Sequence, residues 1–462
     1  MRLERSRGRC LAVRERPLAV VELREAGARL LEAVSEGRTL TPSRAEVGLL
    51  YHLSSLGLVE MRPVPESWPK VTLVVPVRDR PTQLAACLAS IRRLRYPGDR
   101  VEVVVVDDGS LEPLPPVEGA RVLRLPAPRG PAAARNAGAR EARGEVLVFI
   151  DSDCRAEEGW LRELVTELAG PGVAAAGGRV LPARERGWLE RYEAVRSPLD
   201  LGPRPAPARP RTRVPYLVAA NLAVRRADFE AVGGFDERLR HGEDVDLCWR
   251  LVARGRSAVY QPLAAVRHDH RGRLRDFALT RARYAASEAA LLRRHPENRR
   301  WLALSPGAAA ALAGMLAVLL GRRRPAALGG LALAVETAIA VRRLSDLGIS
   351  PRPALGALAA GQAAGLYHLC RQLCRYYGLP ALGLALLAGR GRRRGALLGL
   401  GAAALLPALL DWRRLRPSLP PPAFAAAGLL DDLAYQAGLW FGCLRERTLV
   451  PLLVDLRLIR RR

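Results

Sequence analysis

The sequence predicts an α/β protein whose centre is a mostly parallel sheet covered by helices. Val71–Val77, Val101–Val106 and Val146–Ile150 are short unbroken apolar runs, the pattern of strands buried on both faces. A helical stretch, Gln83–Leu94, separates the first two, so strands and helices alternate. Two of the runs end in paired carboxylates, Asp107-Asp108 and Asp151-Ser152-Asp153, and open α/β sheets bind their ligands at the carboxyl ends of strands.

Residues 1–62 read as a separate small unit. Cys10–Val13 and Leu18–Leu23 around a turn at Arg14–Pro17 predict a hairpin, and Ala26, Leu30, Leu31 and Val34 predict a helix ended by Gly37. Thr41-Pro42, with Ser43 and Glu46 at capping-box spacing, starts a second helix that carries Val47, Leu50, Leu53 and Leu56. Leu58–Met61 predicts a closing strand, which completes a miniature winged-helix arrangement. Residues 63–69, Pro63-Val64-Pro65-Glu66-Ser67-Trp68-Pro69, form a stiff linker. Residues 70–300 form the α/β domain, interrupted by a Pro/Arg-rich stretch at 202–215 that is expected to be a flexible connector.

Residues 301–462 are expected to form an apolar helical region associated with a membrane. Leu302–Leu320 has 19 uncharged residues and Gly395–Leu410 has 16, whereas Pro325–Val341 contains Glu336 and Pro353–Cys370 contains His368. The arginine clusters at 322–324, 342–343, 390–394 and 413–416 do not fall on one side and give no clean topology. A helical domain packed on the enzyme, or lying in the membrane interface, is the alternative.

The formal charge of +27 comes from 73 basic and 46 acidic residues, with Lys70 the single lysine. Such an excess suits anionic lipid or phosphorylated substrates. No basic stripe interleaved with aromatics occurs, so no nucleic-acid partner is expected. The seven cysteines form no CxxC pair, and His368, Cys370 and Cys374 read as helix packing. The odd cysteine count and a charged N-terminus without an apolar h-region predict the reducing cytosol. The expected location is the cytoplasmic membrane, with the α/β domain facing the cytosol.

Four pieces carry chemistry, in this order. Val71–Val77 runs into a turn at Arg78-Asp79. Asp107-Asp108-Gly109-Ser110 ends the second strand. Arg135-Asn136-Ala137-Gly138 precedes the strand that ends in Asp151-Ser152-Asp153, where two carboxylates can share a hard divalent cation with a diphosphate. Gly233-Gly234-Phe235-Asp236-Glu237 leads to Gly242-Glu243-Asp244-Val245-Asp246, a carboxylate cluster at a helix start.

Through these four motifs, from Lys70 to Arg283, the sequence resembles glycosyltransferase family 2, an inverting group with the GT-A, Rossmann-like fold. The resemblance implies a nucleotide-diphosphate sugar donor held by Pro76, Arg78, Asp79, Asp107, Asp108, Arg135 and Asp151. It implies Mn²⁺ or Mg²⁺ on Asp151, Asp153 and His268, a catalytic base at Asp244, and acceptor contacts at Glu243, Asp246 and Trp249. The QxxRW motif of processive members is not evident; Leu247-Cys248-Trp249-Arg250 is a different arrangement. Residues 1–62 resemble the PqqD-like domains that bind precursor peptides. Their fusion to a family 2 transferase looks like the mycofactocin-system glycosyltransferases, which implies β-linked glucose added from UDP-glucose to a peptide-derived redox cofactor. A membrane transferase acting on a lipid-linked or cell-wall acceptor is the rival expectation.

Overall fold

The computed structural model describes residues 2–6, 9–15, 18–38, 46, 49–50, 53, 58–59, 63, 65–270, 272–299, 301–319, 324–346 and 349–458. The chain divides into two compact units. One comprises Met1–Met61, Arg299–Arg414 and Leu452–Arg462; the other comprises Arg62–Asn298 and Leu415–Pro451.

At the N-terminus, β1 (Arg2–Ser6), β2 (Arg9–Glu15) and β3 (Leu18–Leu23) form an antiparallel sheet, followed by α1 (Glu25–Ser35). The expected hairpin is β2–β3, and β1 extends it by a strand that the residue pattern did not announce. Cys10, Ala12, Leu23, Ala28 and Leu31 bury a small core that also takes in Leu53 and Leu58. Glu46, Leu49, Leu50 and Leu53 are helical, as expected of the second helix, whereas its start at Thr41–Ala45 lies outside the described residues. Leu58 and Val59 are not in a strand; Glu60 and Met61 lie outside the described residues.

The second unit is built on β4 (Val71–Val77), α2 (Pro81–Ile91), β5 (Val101–Asp107), β6 (Arg121–Arg124), α3 (Pro131–Arg140), β7 (Val146–Ile150) and β8 (Cys154–Ala156). It continues with α4 (Trp160–Leu168), β9 (Val173–Pro182), α5 (Trp188–Arg196), β10 (Ala206–Pro207), β11 (Asn221–Arg225), α6 (Arg226–Ala231), α7 (Glu243–Ala253), β12 (Ser257–His268) and α8 (Leu274–Arg294). The sheet order is β10-β12-β9-β11-β7-β4-β5-β6, with β8 on β12. Strands β7, β4, β5 and β6 run parallel, as the apolar runs predict, and β11 enters antiparallel between β7 and β9 to make the sheet mixed. Val74, Val104, Val106, Phe149 and Leu222 are fully buried between the helical layers.

Two stretches read as connectors are fixed in place. Trp68, in the predicted linker, meets Tyr96 edge to face with ring centroids 5.4 Å apart, and the Arg162 guanidinium lies over its ring. The Pro/Arg stretch contributes β10, which pairs with β12, and Arg213 donates to the carbonyls of Leu201, Arg204 and Pro205.

The C-terminal helices are α9 (Pro306–Leu319), α10 (Arg324–Asp346), α11 (Pro351–Leu387), α12 (Arg390–Leu415) and α13 (Pro421–Arg445). Leu302–Leu304, counted in the first expected span, instead belong to a strand, β13 (Trp301–Leu304), which pairs in parallel with β14 (Asp455–Leu458). Among the described residues, α12 alone is long and apolar enough to cross a membrane. Helix α13 departs from the expected single C-terminal region and packs on α8 in the second unit. A Cβ on Gly438 would lie 2.0 Å from the Ala282 carbonyl oxygen, and one on Gly442 would lie 2.5 Å from that of Ala286. Glycine at these two positions is therefore what lets the two backbones meet.

Candidate active site

Register brings the first two motifs together. Pro76 pairs with Val106 and Val77 with Asp107, so β4 and β5 end side by side. Beyond their ends, the Asp79 N–H donates to Ser110 Oγ at 2.9 Å, and Asp79 Oδ1 accepts from the Leu111 N–H at 2.8 Å. Arg78 lies 3.4 Å from the Asp79 carboxylate. The two aspartates at the carboxyl end of β5 then part. Asp107 is fully buried and closes the turn, accepting from the Ser110 N–H at 2.9 Å and from Arg124 at 3.1 Å. Asp108 accepts from the N–H groups of Arg129 at 2.7 Å and Gly130 at 2.9 Å, just before α3. Gly109 makes this possible: its φ is +65°, and a Cβ there would lie 2.7 Å from Pro128 N.

Asp151 and Asp153 also diverge. Asp151 Oδ1 accepts from Arg135 Nη2 at 2.6 Å, and Arg135 Nη1 donates to Glu243 Oε1 at 2.6 Å. Burial alone lowers the Arg135 pKa, but the Asp151 and Glu243 charges outweigh it and hold the guanidinium ionised. Arg135, expected at the donor, thus spends both terminal nitrogens inside the protein. Its neighbour Asn136 clamps the glycine-rich motif, donating to the Phe235 carbonyl at 2.8 Å and accepting from the Phe235 N–H at 3.0 Å.

Asp153 is placed differently. It pairs with Arg80, and its Oδ1 lies 3.4 Å from His268 Nε2. The β8–β12 register, His268 opposite Cys154, creates this proximity between residues far apart in the chain. Among the described residues no three metal-binding side chains converge. Asp153 and His268 nevertheless fit a hard cation that takes its remaining oxygens from a diphosphate and water. Asp151, expected in the same set, is turned to Arg135 instead.

Helix α7 opens on Gly242, whose φ is +82° and whose Cβ would meet Leu291 at 2.8 Å. Asp244 Oδ2 accepts from the Ala219 N–H at 3.0 Å and Oδ1 from the Val245 N–H at 2.8 Å. Burial pushes the Asp244 carboxyl above the ordinary carboxylate range, and burial with the Asp244 charge raises Glu243 too. Glu243, Asp246 and Trp249, expected to meet the acceptor, are all engaged within the fold. Glu243 is buried on Arg135. Asp246 is buried and bound by Arg250 and His295, which outweigh the effect of burial and keep it below its usual pKa. Trp249 donates to the Pro215 carbonyl at 3.0 Å and packs beside Leu239 and Leu291. One turn of helix cannot point all its residues into one cleft, and the sequence alone does not say which face is buried.

Arg80 and the Ala219 N–H were missed from sequence. Arg80 directly follows the first motif and shared its position; Ala219 offers only backbone and leaves no signal.

Comparison with known proteins fits this geometry. Residues 72–233 match the model of Glycosyl transferase family 2. The pre-mycofactocin glycosyltransferase of Mycobacterium tuberculosis is 37% identical over 414 residues, covering 86% of this chain and 84% of that protein. The chain belongs to glycosyltransferase family 2. Glycosyltransferase AglE of Haloferax volcanii is 29% identical over 202 residues, covering 42% of this chain and 64% of that protein. Among solved structures, the mannosyltransferase PcManGT from Pyrobaculum calidifontis, in complex with GDP-Man and Mn²⁺, is 20% identical with a TM-score of 0.45, covering 88% of this chain and 98% of that one. The family 2 match takes in the strands that carry Asp79, Asp108, Asp151 and Asp153 and stops before α7 and His268. The carboxyl ends of β4, β5 and β7, the edge at which open α/β sheets bind ligands, carry the first three motifs.

Proposed function

We propose that this family 2 enzyme adds glucose, from UDP-glucose and in β-linkage, to the peptide-derived redox cofactor of mycofactocin biosynthesis. The observation that carries the reading is the 37% identity to the pre-mycofactocin glycosyltransferase across 86% of this chain and 84% of that protein. The N-terminal sheet and helix serve as a PqqD-like module that recognises the peptide-derived acceptor.

In the reaction, the acceptor oxygen attacks the anomeric carbon while the bond from that carbon to the diphosphate breaks, and Asp244 takes the hydroxyl proton. A single in-line displacement inverts the anomeric centre. Ala219 and Val245 hold the Asp244 carboxylate in one orientation. Asp108 and Asp79, on the turns after β5 and β4, face the nucleoside. Asp153 and His268 are the residues that would hold Mn²⁺ or Mg²⁺, and the cation would supply charge neutralisation for the diphosphate leaving group. Arg80 balances the Asp153 charge and stands ready to pair with phosphate. Arg135 keeps Asp151 and Glu243 fixed around the site.

We further propose that the enzyme sits at the cytoplasmic membrane through α12, with the catalytic unit in the cytosol. The exposure of Leu398, Leu405 and Leu409 on that helix supports this placement. The same helix favours a second reading, transfer to a lipid-linked acceptor. The test offers the full-length protein UDP-glucose or GDP-mannose, with pre-mycofactocin or a polyprenyl phosphate as acceptor. Glucose transfer to pre-mycofactocin, with a β-anomer coupling in the proton NMR of the product, is expected. Transfer to the polyprenyl phosphate alone would overturn the cofactor reading and leave the family assignment standing.

A further inference from the structure

Helix α13 carries its polarity the wrong way round for a helix at a protein surface. Its acidic and amide side chains, Asp431, Asp432 and Gln436, are all buried. Asp431 accepts from Arg281 Nε and from the Tyr192 hydroxyl, both at 3.1 Å, and the Tyr435 hydroxyl donates to Glu288 at 2.7 Å. On the other side, every exposed position from Pro422 to Leu444 is apolar. Exposure along this stripe rises from 40% at Leu429, through Leu433 and Phe441, to 76% at Leu444. Its members recur every three or four residues, so they share one face and form a strip about 33 Å long.

An unbroken apolar strip of this length on a surface marks a contact with something else, and its surroundings say with what. Helix α8 runs beside α13, with Ala282 against Gly438 and Ala286 against Gly442. Its first half exposes Leu274, Arg275, Leu279 and Arg283, and no acid of α8 is exposed. Arg445 and Arg447 are exposed where α13 ends. Glu446 between them is shared by Arg293 at 3.5 Å and Arg445 at 3.2 Å, so positive charge is in excess there. Apolar side chains rimmed by guanidiniums match the boundary between acyl chains and anionic headgroups. A second copy of the chain would instead set one arginine rim against another. In the sequence, only residues 416–420 separate α13 from α12, the helix proposed above to enter the membrane.

We propose that the outer face of α13, with Leu274 and Leu279 of α8, is a bilayer-contact surface that seats the catalytic unit on anionic lipid. Helix α13 lies in the plane of the headgroups and does not cross, and its glycine face stays on α8. The proposal rests on the cytoplasmic-membrane reading, and the test tells the two apart. Full-length protein is mixed with vesicles of phosphatidylcholine, with or without phosphatidylglycerol, that carry a phospholipid with a diazirine in its acyl chain. After illumination, the peptides that have gained lipid are mapped by mass spectrometry. Lipid is expected on the Leu429–Leu444 and Leu274–Arg283 segments, and more of it with phosphatidylglycerol. Leu433→Glu combined with Phe441→Glu should remove it from α13 and weaken vesicle binding by about tenfold or more. Both side chains face outward, so the unfolding temperature should stay native; the map of the native chain decides even if the double variant does not fold. Lipid on α12 alone overturns the α13 surface and leaves the membrane location standing, whereas no lipid anywhere overturns both. Equal labelling in the two vesicles overturns the preference for anionic lipid. A native dimer that the double variant dissociates, with no lipid on α13, assigns the face to a second copy and overturns the proposal.

Discussion

Arg135 and Glu243 meet at 2.6 Å, with side chains only 5% and 9% exposed, and so join the third motif to the fourth. Removing the cation leaves Glu243 and Asp151 without their shared partner. Arg135→Met is expected to cost about 3–5 kcal/mol of stability near neutral pH. The Glu243 pKa is already raised by burial and the Asp244 charge, and loss of Arg135 raises it further. A raised carboxyl stabilises the fold below its unfolded pKa and loses that contribution as pH rises through the folded value. Urea unfolding should therefore show a larger deficit for Arg135→Met at pH 8 than at pH 5. An equal deficit at both pH values would mean that Glu243 does not feel the change.

Asp244→Asn keeps bulk and removes the base. Turnover should fall by about 10²–10⁴, with donor affinity unchanged. Burial raises the Asp244 carboxyl, and a base works only when ionised, so kcat/KM in the native enzyme should climb with pH through a midpoint above the ordinary carboxylate range. A few-fold loss of turnover with collapsed donor binding would move Asp244 to the donor site.

Chelation should abolish transfer, and Mn²⁺ or Mg²⁺ should restore it. Asp153→Ala should resist restoration because it removes a carboxylate 3.4 Å from His268. Full activity in excess chelator would remove the cation from the reaction.

Deleting residues 1–62 leaves the anchor at Trp68 in place. Hydrolysis of the nucleotide sugar by water should survive, while KM for the peptide-derived acceptor should rise, because binding remote from the chemistry is lost. An unchanged KM would reduce the N-terminal unit to a folding accessory.

Gly438→Val tests the contact that binds α13 to α8. Its Cβ would lie 2.0 Å from the Ala282 carbonyl oxygen, so the helices must separate. Stability should fall by at least about 1–3 kcal/mol. By the same reasoning, truncation after residue 300 strips a packed helix from the catalytic unit and should leave that unit destabilised. A Gly438→Val variant that unfolds like the native protein would deny the close approach.

By itself the sequence determined the central parallel strands, the order of the four motifs and the carboxylates at strand ends. Those features depend on alternation and turn chemistry over a few residues, and β4, β5 and β7 arrived where the apolar runs put them. Only the tertiary structure decided which member of each acidic pair turns inward. Asp107 closes its own turn and Asp108 faces the α3 loop; Asp151 goes to Arg135 and Asp153 to His268. These choices rest on partners such as Arg135 and Glu243, 108 residues apart, whose meeting is fixed by strand register and helix packing. The fate of α13 was decided in the same way. A stripe of Gly, Ala and Leu serves a bilayer or a close helix pair equally well, and the Ala282 and Ala286 backbone opposite it selects the second.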